Sequence, residues 1–382
     1  MSAEMMKRMR LGDLLGDFVS YRNLEPVDER LLGLGAIRAQ LGLAANYIPR
    51  KTEPAFATVI VHFLRQLQSL LAPDRPLEHL LYIGDTAMND GMAIANLGQH
   101  LPILGFIGHE KLAEEERIEV RQGLMIANRW TALADFLSFI EGEGFPLEEG
   151  TAVLVDLDKT AFGARGRNDG AIDRARVEAV RCTVEGVLGA DFHYEEFRAV
   201  YDELNQPRYH PFTADNQDYL AYVALMVSGG AYDFAALLQD LDVGRLSSFP
   251  QFVAACARRV GQGQFVRLLP IHEEVYSNLQ RGDPTPFKSF RYREYVATVA
   301  RMDFLPDDTD QGELLAQEIV ITGEVAEVAR YLKERGMLLF GLSDKPDEAS
   351  IPKLELEQEG YLPVHRTQMK VVGRSLSLWS GE

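Results

Sequence analysis

Along this chain, short apolar runs that end in glycine or in acidic residues alternate with longer stretches spaced for one helical face. The runs are His79-Leu-Leu-Tyr-Ile83, Leu101-Pro-Ile-Leu-Gly-Phe-Ile107, Ala152-Val-Leu-Val155 and Met337-Leu-Leu-Phe-Gly-Leu342. They lack the strict alternation of a half-exposed strand, so they read as strands buried on both faces of a parallel sheet. Residues 55–72, behind Pro54, read as an apolar-rich helix. In 322–336, Thr322 reads as a helix cap, Val325, Val328, Ala329 and Leu332 as the buried stripe, and Gly336 as the stop. Strand and helix in alternation predict an α/β fold whose ligands bind at the carboxyl ends of the strands.

The rest of the pattern is mostly helical. Residues 1–50 have helical texture around Leu14, Leu15 and Phe18 and again over 31–43, and 110–140 reads as helix with Trp130, Leu133 and Leu137 as packing positions. From 172 to 318 helical candidates fall near 172–188, 194–204, 216–228, 231–241, 249–260 and 290–302. After Ser343 only a weak strand near 362–365 is predicted.

Composition narrows the classes. A chain of 382 residues with 46% hydrophobic content supports a substantial core and two or three domains. Its net charge of −18 argues against nucleic-acid and anionic-membrane partners, whose surfaces repel it. Cys182 and Cys256 lie far apart in helical stretches, which fits neither a disulfide framework nor a thiolate zinc site and suits a reducing cytoplasm. The segment Met1-Ser-Ala-Glu-Met-Met-Lys-Arg-Met-Arg10 is followed by a broken Leu/Gly/Asp pattern, unlike a signal peptide. The longest mostly apolar stretch, 221–227, falls far short of the roughly 20 residues of a spanning helix, so a cytoplasmic protein without a membrane partner is expected. Gly33-x-Gly35 lacks the third glycine of a dinucleotide fingerprint, and the sequence holds no Gly-Lys-Ser/Thr phosphate loop.

The chemistry concentrates where the apolar runs end. Ala152-Val-Leu-Val155 opens into Asp156-Leu-Asp158-Lys159-Thr160. As a strand runs out, residues two apart project to one side, so Asp156 and Asp158 can address the same atom, one attacking and the other carrying a proton. A metal-nucleotide site of the glycosyltransferase kind uses the same Asp-x-Asp spacing. The run 79–83 ends in Gly84-Asp85-Thr86-Ala87-Met88-Asn89-Asp90, in which Gly84 is expected to permit the sharp turn that aims Asp85 at a cation. Lys51 stands just before Pro54, at a helix start that favours an anion. The loop after Thr160 carries Arg165, Arg167 and Asn168 among three glycines, a cationic segment suited to substrate or phosphate.

Together these stretches resemble the four motifs of the haloacid-dehalogenase-like (HAD) phosphohydrolases. The resemblance implies a Rossmann-like three-layer parallel sheet with an inserted helical cap. It implies Asp156 as nucleophile and Asp158 as general acid and base. Asp85 and Asp90, with Asp156 and Asp158, would hold Mg²⁺, and Thr160, Ser343 and Lys51 would bind phosphate; Lys345, in Ser343-Asp344-Lys345-Pro346, is an alternative to Lys51. The motifs run third, fourth, first, second, so the order is circularly permuted relative to the family, and the Asp156 strand is expected between the Asp85 strand and the Ser343 strand. Core residues 1–170, a helical cap over 171–318 and core residues 319–382 follow as the expected domains. The implied activity is hydrolysis of a small phosphorylated metabolite; a phosphotransferase or phosphomutase, or a catalytically silent binding protein on the same fold, would carry the same sequence signs.

Overall fold

In the computed structural model, which describes residues 7–378, the strands are β1 Arg8–Met9, β2 Val19–Ser20, β3 His79–Gly84, β4 Ile103–Gly108, β5 Ile118–Arg121, β6 Leu124–Ala127, β7 Thr151–Asp156, β8 Ile321–Thr322, β9 Leu338–Leu342 and β10 Met369–Val372. Residues 1–6, part of the amino-terminal segment read above, and residues 379–382 lie outside the described range. Seven strands form one sheet in the order β2-β9-β7-β3-β4-β6-β5, parallel throughout except for β5 against β6. The sheet is therefore α/β and mostly parallel. β7 lies inside it, next to the central strand β3 on one side and to β9 on the other, the neighbours expected from the sequence.

Burial on both faces explains why these strands lack alternation: every residue of β7 is buried. On one face Ala152 and Leu154 join Leu80, Tyr82 and Phe340 against Phe56, Ile60, Phe63 and Leu64 of the helix Pro54–Leu71. On the other, Phe106 of β4 packs against Trp130 and Phe136, with ring centroids 6.2 and 5.7 Å apart. Each such side chain taken out of water contributes about 1.5–3 kcal/mol, which outweighs the ~1 kcal/mol scale of strand propensities. The helix Gly323–Glu334 buries Val325, Val328, Ala329 and Leu332 as read, and Gly336 beyond it has φ +85°. Thr322 stands at the cap position, but its hydroxyl donates to the Thr160 carbonyl at 2.5 Å instead of accepting from the helix.

Several stretches differ from the sequence reading. Among the described residues 7–50 the helices are the short Gly12–Leu15 and Leu34–Ile37, with β1 before them and Val19–Ser20 supplying the edge strand β2. Within 110–140, β5 and β6 form a hairpin whose Gln122 and Gly123 have φ 49° and 80°, both left-handed as a tight hairpin turn requires. Helix begins only at Leu133–Gly142, after a short 3-10 turn. Near 362–365 the chain makes the turn Val364–Arg366, and the strand follows as β10.

The chain divides into two compact units, residues 1–174 with 298–382, and residues 175–297. The second is helical, with a core around the helix Gln217–Ser228, in which residues 220–226 are all buried. Inside it Asp218 pairs with Arg291 at 2.6 Å, Arg291 with Glu294 at 2.6 Å and Glu294 with Arg176 at 3.2 Å. A helix at Leu269–Gln280, absent from the sequence reading, belongs here. Residues 298–318, read from the sequence with the helical insert, belong to the sheet-bearing unit. There Glu318 accepts from Lys370 Nζ at 3.0 Å, and both side chains are fully buried. No helix among the described residues is long and apolar enough to cross a membrane.

A buried ion pair is costly to break from one side only. Lys370→Met, which leaves Glu318 charged and unpaired, is expected to lower unfolding stability by about 3–5 kcal/mol, and the apolar pair Lys370→Met/Glu318→Leu to recover most of it. Urea denaturation of both variants measures this; equal losses in the two would show that Glu318 carries no unpaired charge in the single variant.

Candidate active site

Because β3, β7 and β9 run parallel and adjacent, their carboxyl ends open at one edge of the sheet, and the residues just beyond them converge. β7 delivers Asp156 at its last position, and β3 ends at Gly84, one residue before Asp85. Carboxylate oxygens of Asp85, Asp90 and Asp156 lie within 4.8 Å of one another, all three residues buried. Two carboxylates from strands far apart in the chain are thus brought together, along with Asp90 at the start of the helix Asn89–Leu97.

Cations answer this charge. Lys51 Nζ donates to Asp90 Oδ1 at 2.9 Å and also to Asp156 Oδ1, and Lys51 is itself buried. Its position is set by the turn before Pro54: Glu53 accepts from Arg50 N–H at 2.8 Å and from the Tyr47 hydroxyl at 2.7 Å. Burial disfavours the ammonium, but Asp156 and Asp90 outweigh it and hold Lys51 charged, its pKa well above the usual value. Arg165 Nε donates to Asp85 Oδ2.

Asp90 is the most committed of the acids. Its Oδ1 accepts from Lys51 and from the Tyr82 hydroxyl at 2.9 Å, and its Oδ2 from the N–H groups of Asp85 and Thr86 at 3.1 and 2.9 Å and the Thr86 hydroxyl at 2.9 Å. Although burial works against its charge, Lys51 and the Thr86 N–H bring the Asp90 pKa below the usual carboxylate range. Asp90 therefore positions Lys51 and the Asp85 loop. Gly84 makes room for it: a Cβ there would stand 2.7 Å from Asp90 Cγ. Space for this carboxylate, and not a left-handed turn, explains the glycine.

Asp156 and Asp85 have fewer bonds. Asp156 Oδ2 accepts from the Thr160 hydroxyl at 2.9 Å. Burial pushes Asp156 well above the usual carboxylate range; Lys51 opposes the shift while Asp90 and Asp85 add to it. Burial and then the Asp90 charge raise Asp85 to about 7, against the pull of Arg165. Asp158, two residues beyond Asp156, is half-buried, and its Oδ1 is enclosed without a hydrogen-bond partner among the described residues. The following Lys159 has φ 65°, an uncommon left-handed conformation for a non-glycine residue, at the point where the chain turns back toward Thr160.

This donor set suits a hard divalent cation. All candidate ligands are oxygens, they lie close enough to share one ion, and among the described residues the three carboxylates bond two cationic side chains, Lys51 and Arg165. Asp85 and Asp156 are the acids with coordination capacity left, because each oxygen of Asp90 already accepts at least two hydrogen bonds.

The remaining sequence-read residues divide. Ser343 is buried one residue past the end of β9, which pairs Leu342 with Asp156. Its Oγ accepts from Lys345 N–H at 3.0 Å, which leaves the hydroxyl proton available. Lys345 Nζ donates to Thr298 Oγ1 at 3.0 Å, and Lys51 donates to Asp156 and Asp90. Arg167 and Asn168 are committed to partners inside the fold. Arg167 forks onto Glu110 at 2.6 and 2.8 Å and onto Glu324 at 2.9 and 3.0 Å; Asn168 holds the carbonyls of Leu315 and Glu318 at 2.7 and 2.8 Å and the Val320 N–H at 3.0 Å. Tyr82 and Thr86 were missed by the sequence reading. A tyrosine within an otherwise apolar buried strand was the available sign, since its hydroxyl needs a buried partner.

Comparison of the chain with protein-family models, with curated proteins and with solved structures finds no match.

A cation at Asp85 must displace the proton that Asp85 holds below pH about 7. Because Asp156 is raised as well, calorimetric titration with Mg²⁺ is expected to show apparent affinity rising with pH through this range, with proton release on binding. Affinity that stays constant across this range would remove Asp85 from the ligand set.

Proposed function

We propose that this chain is a magnesium-dependent phosphohydrolase of the HAD kind with rotated motif order, acting on a small phosphorylated metabolite. One observation carries the reading: a buried aspartate at the end of the interior strand β7, bonded to Lys51 and Thr160, shares a carboxylate cluster with Asp85, while a second acid follows two residues later. An α/β sheet binds its ligands at this end of its strands.

Asp156 is the nucleophile. One of its carboxylate oxygens attacks phosphorus, and the bond from phosphorus to the leaving oxygen breaks. Asp158 gives its proton to that oxygen, so an alcohol departs and Asp156 carries an aspartyl-phosphate. The ionised Asp158 then takes a proton from water as the water oxygen attacks phosphorus, the bond to Asp156 breaks, and inorganic phosphate leaves. Its unpartnered oxygen is suited to this exchange, being tied to no other group among the described residues. Lys51 offsets charge on Asp156 and on the phosphoryl oxygens, and the Thr160 and Ser343 hydroxyls orient the nucleophile and the phosphoryl group. Electrostatic positioning of this sort is the dominant contribution to phosphoryl transfer. Mg²⁺ held by Asp85, Asp156 and the main-chain carbonyl of Asp158 would supply further charge compensation. On this reading residues 175–297 are the inserted unit that sets substrate choice.

Asp156→Asn keeps the shape of the side chain but cannot attack phosphorus, so phosphate release from a panel of phosphorylated metabolites is expected to fall at least about 1000-fold, a barrier increase of about 4 kcal/mol. A well-folded Asp156→Asn protein that turns over at the parent rate would exclude the nucleophile role. Asp158→Asn is expected to slow alkyl phosphates by about 10²–10⁴ and aryl phosphates, whose leaving groups need less protonation, by much less. Equal losses on the two substrate classes would count against the acid role.

A further inference from the structure

β5 ends the large sheet, and among the described residues no strand pairs with its outer edge. Its inner edge pairs with β6, placing Ile118 opposite Ala127, Glu119 opposite Ile126, Val120 opposite Met125 and Arg121 opposite Leu124. Just before it, the Arg117 carbonyl accepts from Asn128 N–H at 3.2 Å and the Arg117 N–H donates to Asn128 Oδ1 at 2.7 Å. Main-chain groups alternate along a strand. Arg117, Glu119 and Arg121 therefore direct theirs at β6, while Ile118 and Val120 direct N–H and C=O outward.

The side chains alternate too. Ile118 and Val120 lie on the face of their partners Ala127 and Met125, both buried, and carry that apolar strip out to the edge, where they are 38% and 47% exposed. The opposite face presents Arg117, Glu119 and Arg121, the last two paired with each other within the strand. Charges on an exposed edge ordinarily repel a second strand, but these alternate in sign. A second copy laid antiparallel about a two-fold axis through Ile118 sets Ile118 against Ile118, Arg117 against Glu119 on both sides, Val120 against Glu116, and Arg121 against Glu115. It also sets outward N–H and C=O groups against each other.

Other registers fit less well. Centring on Glu119 opposes Glu119 to Glu119 and Arg117 to Arg121, and its central main-chain groups face inward to β6. Centring on Val120 runs the strand into Gln122 and Gly123, where the left-handed turn takes the backbone away from the edge.

We propose that β5 is a self-association strand through which two copies of this chain join their large sheets edge to edge, antiparallel, around Ile118. The partner is a second copy because the charge pattern is complementary to its own reverse. The interface stands apart from the carboxylate site and does not depend on the proposed chemistry.

Sedimentation velocity of the full chain over a concentration series tests this. Salt near 0.15 M, where the Debye length is about 8 Å, limits repulsion between copies of net charge −18. A monomer–dimer equilibrium is expected. Arg117→Glu reverses two cross-strand pairs at once and is expected to weaken dimerisation about tenfold or more, and adding Glu119→Arg, which restores opposite signs in the Ile118-centred register alone, to recover it. Circular dichroism melting checks that each variant is folded. Independently of the charge variants, Ile118→Cys in a Cys182→Ser background should give a disulfide-linked dimer, because directly opposed residues bring their Cα atoms to about 5.5 Å, within disulfide range. A monomer at every concentration, a dimer indifferent to Arg117→Glu, a folded double variant that stays monomeric, or linkage through Val120→Cys but not Ile118→Cys would each overturn the proposal.

Discussion

One ammonium group governs the site: Lys51 Nζ, held between Asp156 and Asp90. Removing a charge from water costs several kcal/mol even after relaxation, so a buried lysine here exists only because two buried carboxylates meet it. Its presence fixes Asp156 in one orientation and ties the start of the helix Pro54–Leu71 to the end of β7 and to the start of the helix Asn89–Leu97. Counting outward, three carboxylates face Lys51 and Arg165, and one negative charge is left over. That surplus, together with burial, accounts for the raised Asp85 and Asp156 and gives the cluster its appetite for a proton or a divalent cation.

Chain order matters little to such a cluster. β3 and β7 are joined by a long excursion through β4, β5, β6 and the helix Leu133–Gly142, yet they pair residue for residue from His79 opposite Thr151 to Ile83 opposite Val155. Strand ends meet wherever the sheet places them. β9, which contributes Ser343, returns to the free side of β7 after the helical unit. The order of these stretches along the chain therefore leaves the geometry at the sheet edge unaffected.

The parts legible in the sequence were those in which burial and chemistry share a short segment. An apolar run ending in Asp156 and Asp158, a run ending in Gly84 and Asp85, and Lys51 before Pro54 each carried strand or helix information next to a charge. Elements defined by pairing were hidden. β1, β2 and β8 are two residues each, too short for any period, and exist through the strands beside them. The β5–β6 hairpin did carry alternation, Ile118-Glu-Val-Arg121, and a Gln-Gly turn, but Trp130 and Leu133 downstream suggested a helical period over the whole stretch. Arg167 and Asn168 looked like a loop for substrate because nothing local reveals that Glu110, Glu324 and the 315–320 backbone, distant in sequence, fold back to bind them.

The central claim is that Asp156 becomes phosphorylated, and the acyl phosphate has a distinctive fate. Borohydride reduces it to an alcohol, converting the aspartate to homoserine, whereas a free carboxylate is untouched. Protein quenched during Mg²⁺-supported turnover of phosphate esters, reduced and mapped by peptide mass spectrometry is expected to carry homoserine at position 156 alone. Phosphate release with Asp156 unmodified, or homoserine at another aspartate, would contradict the account.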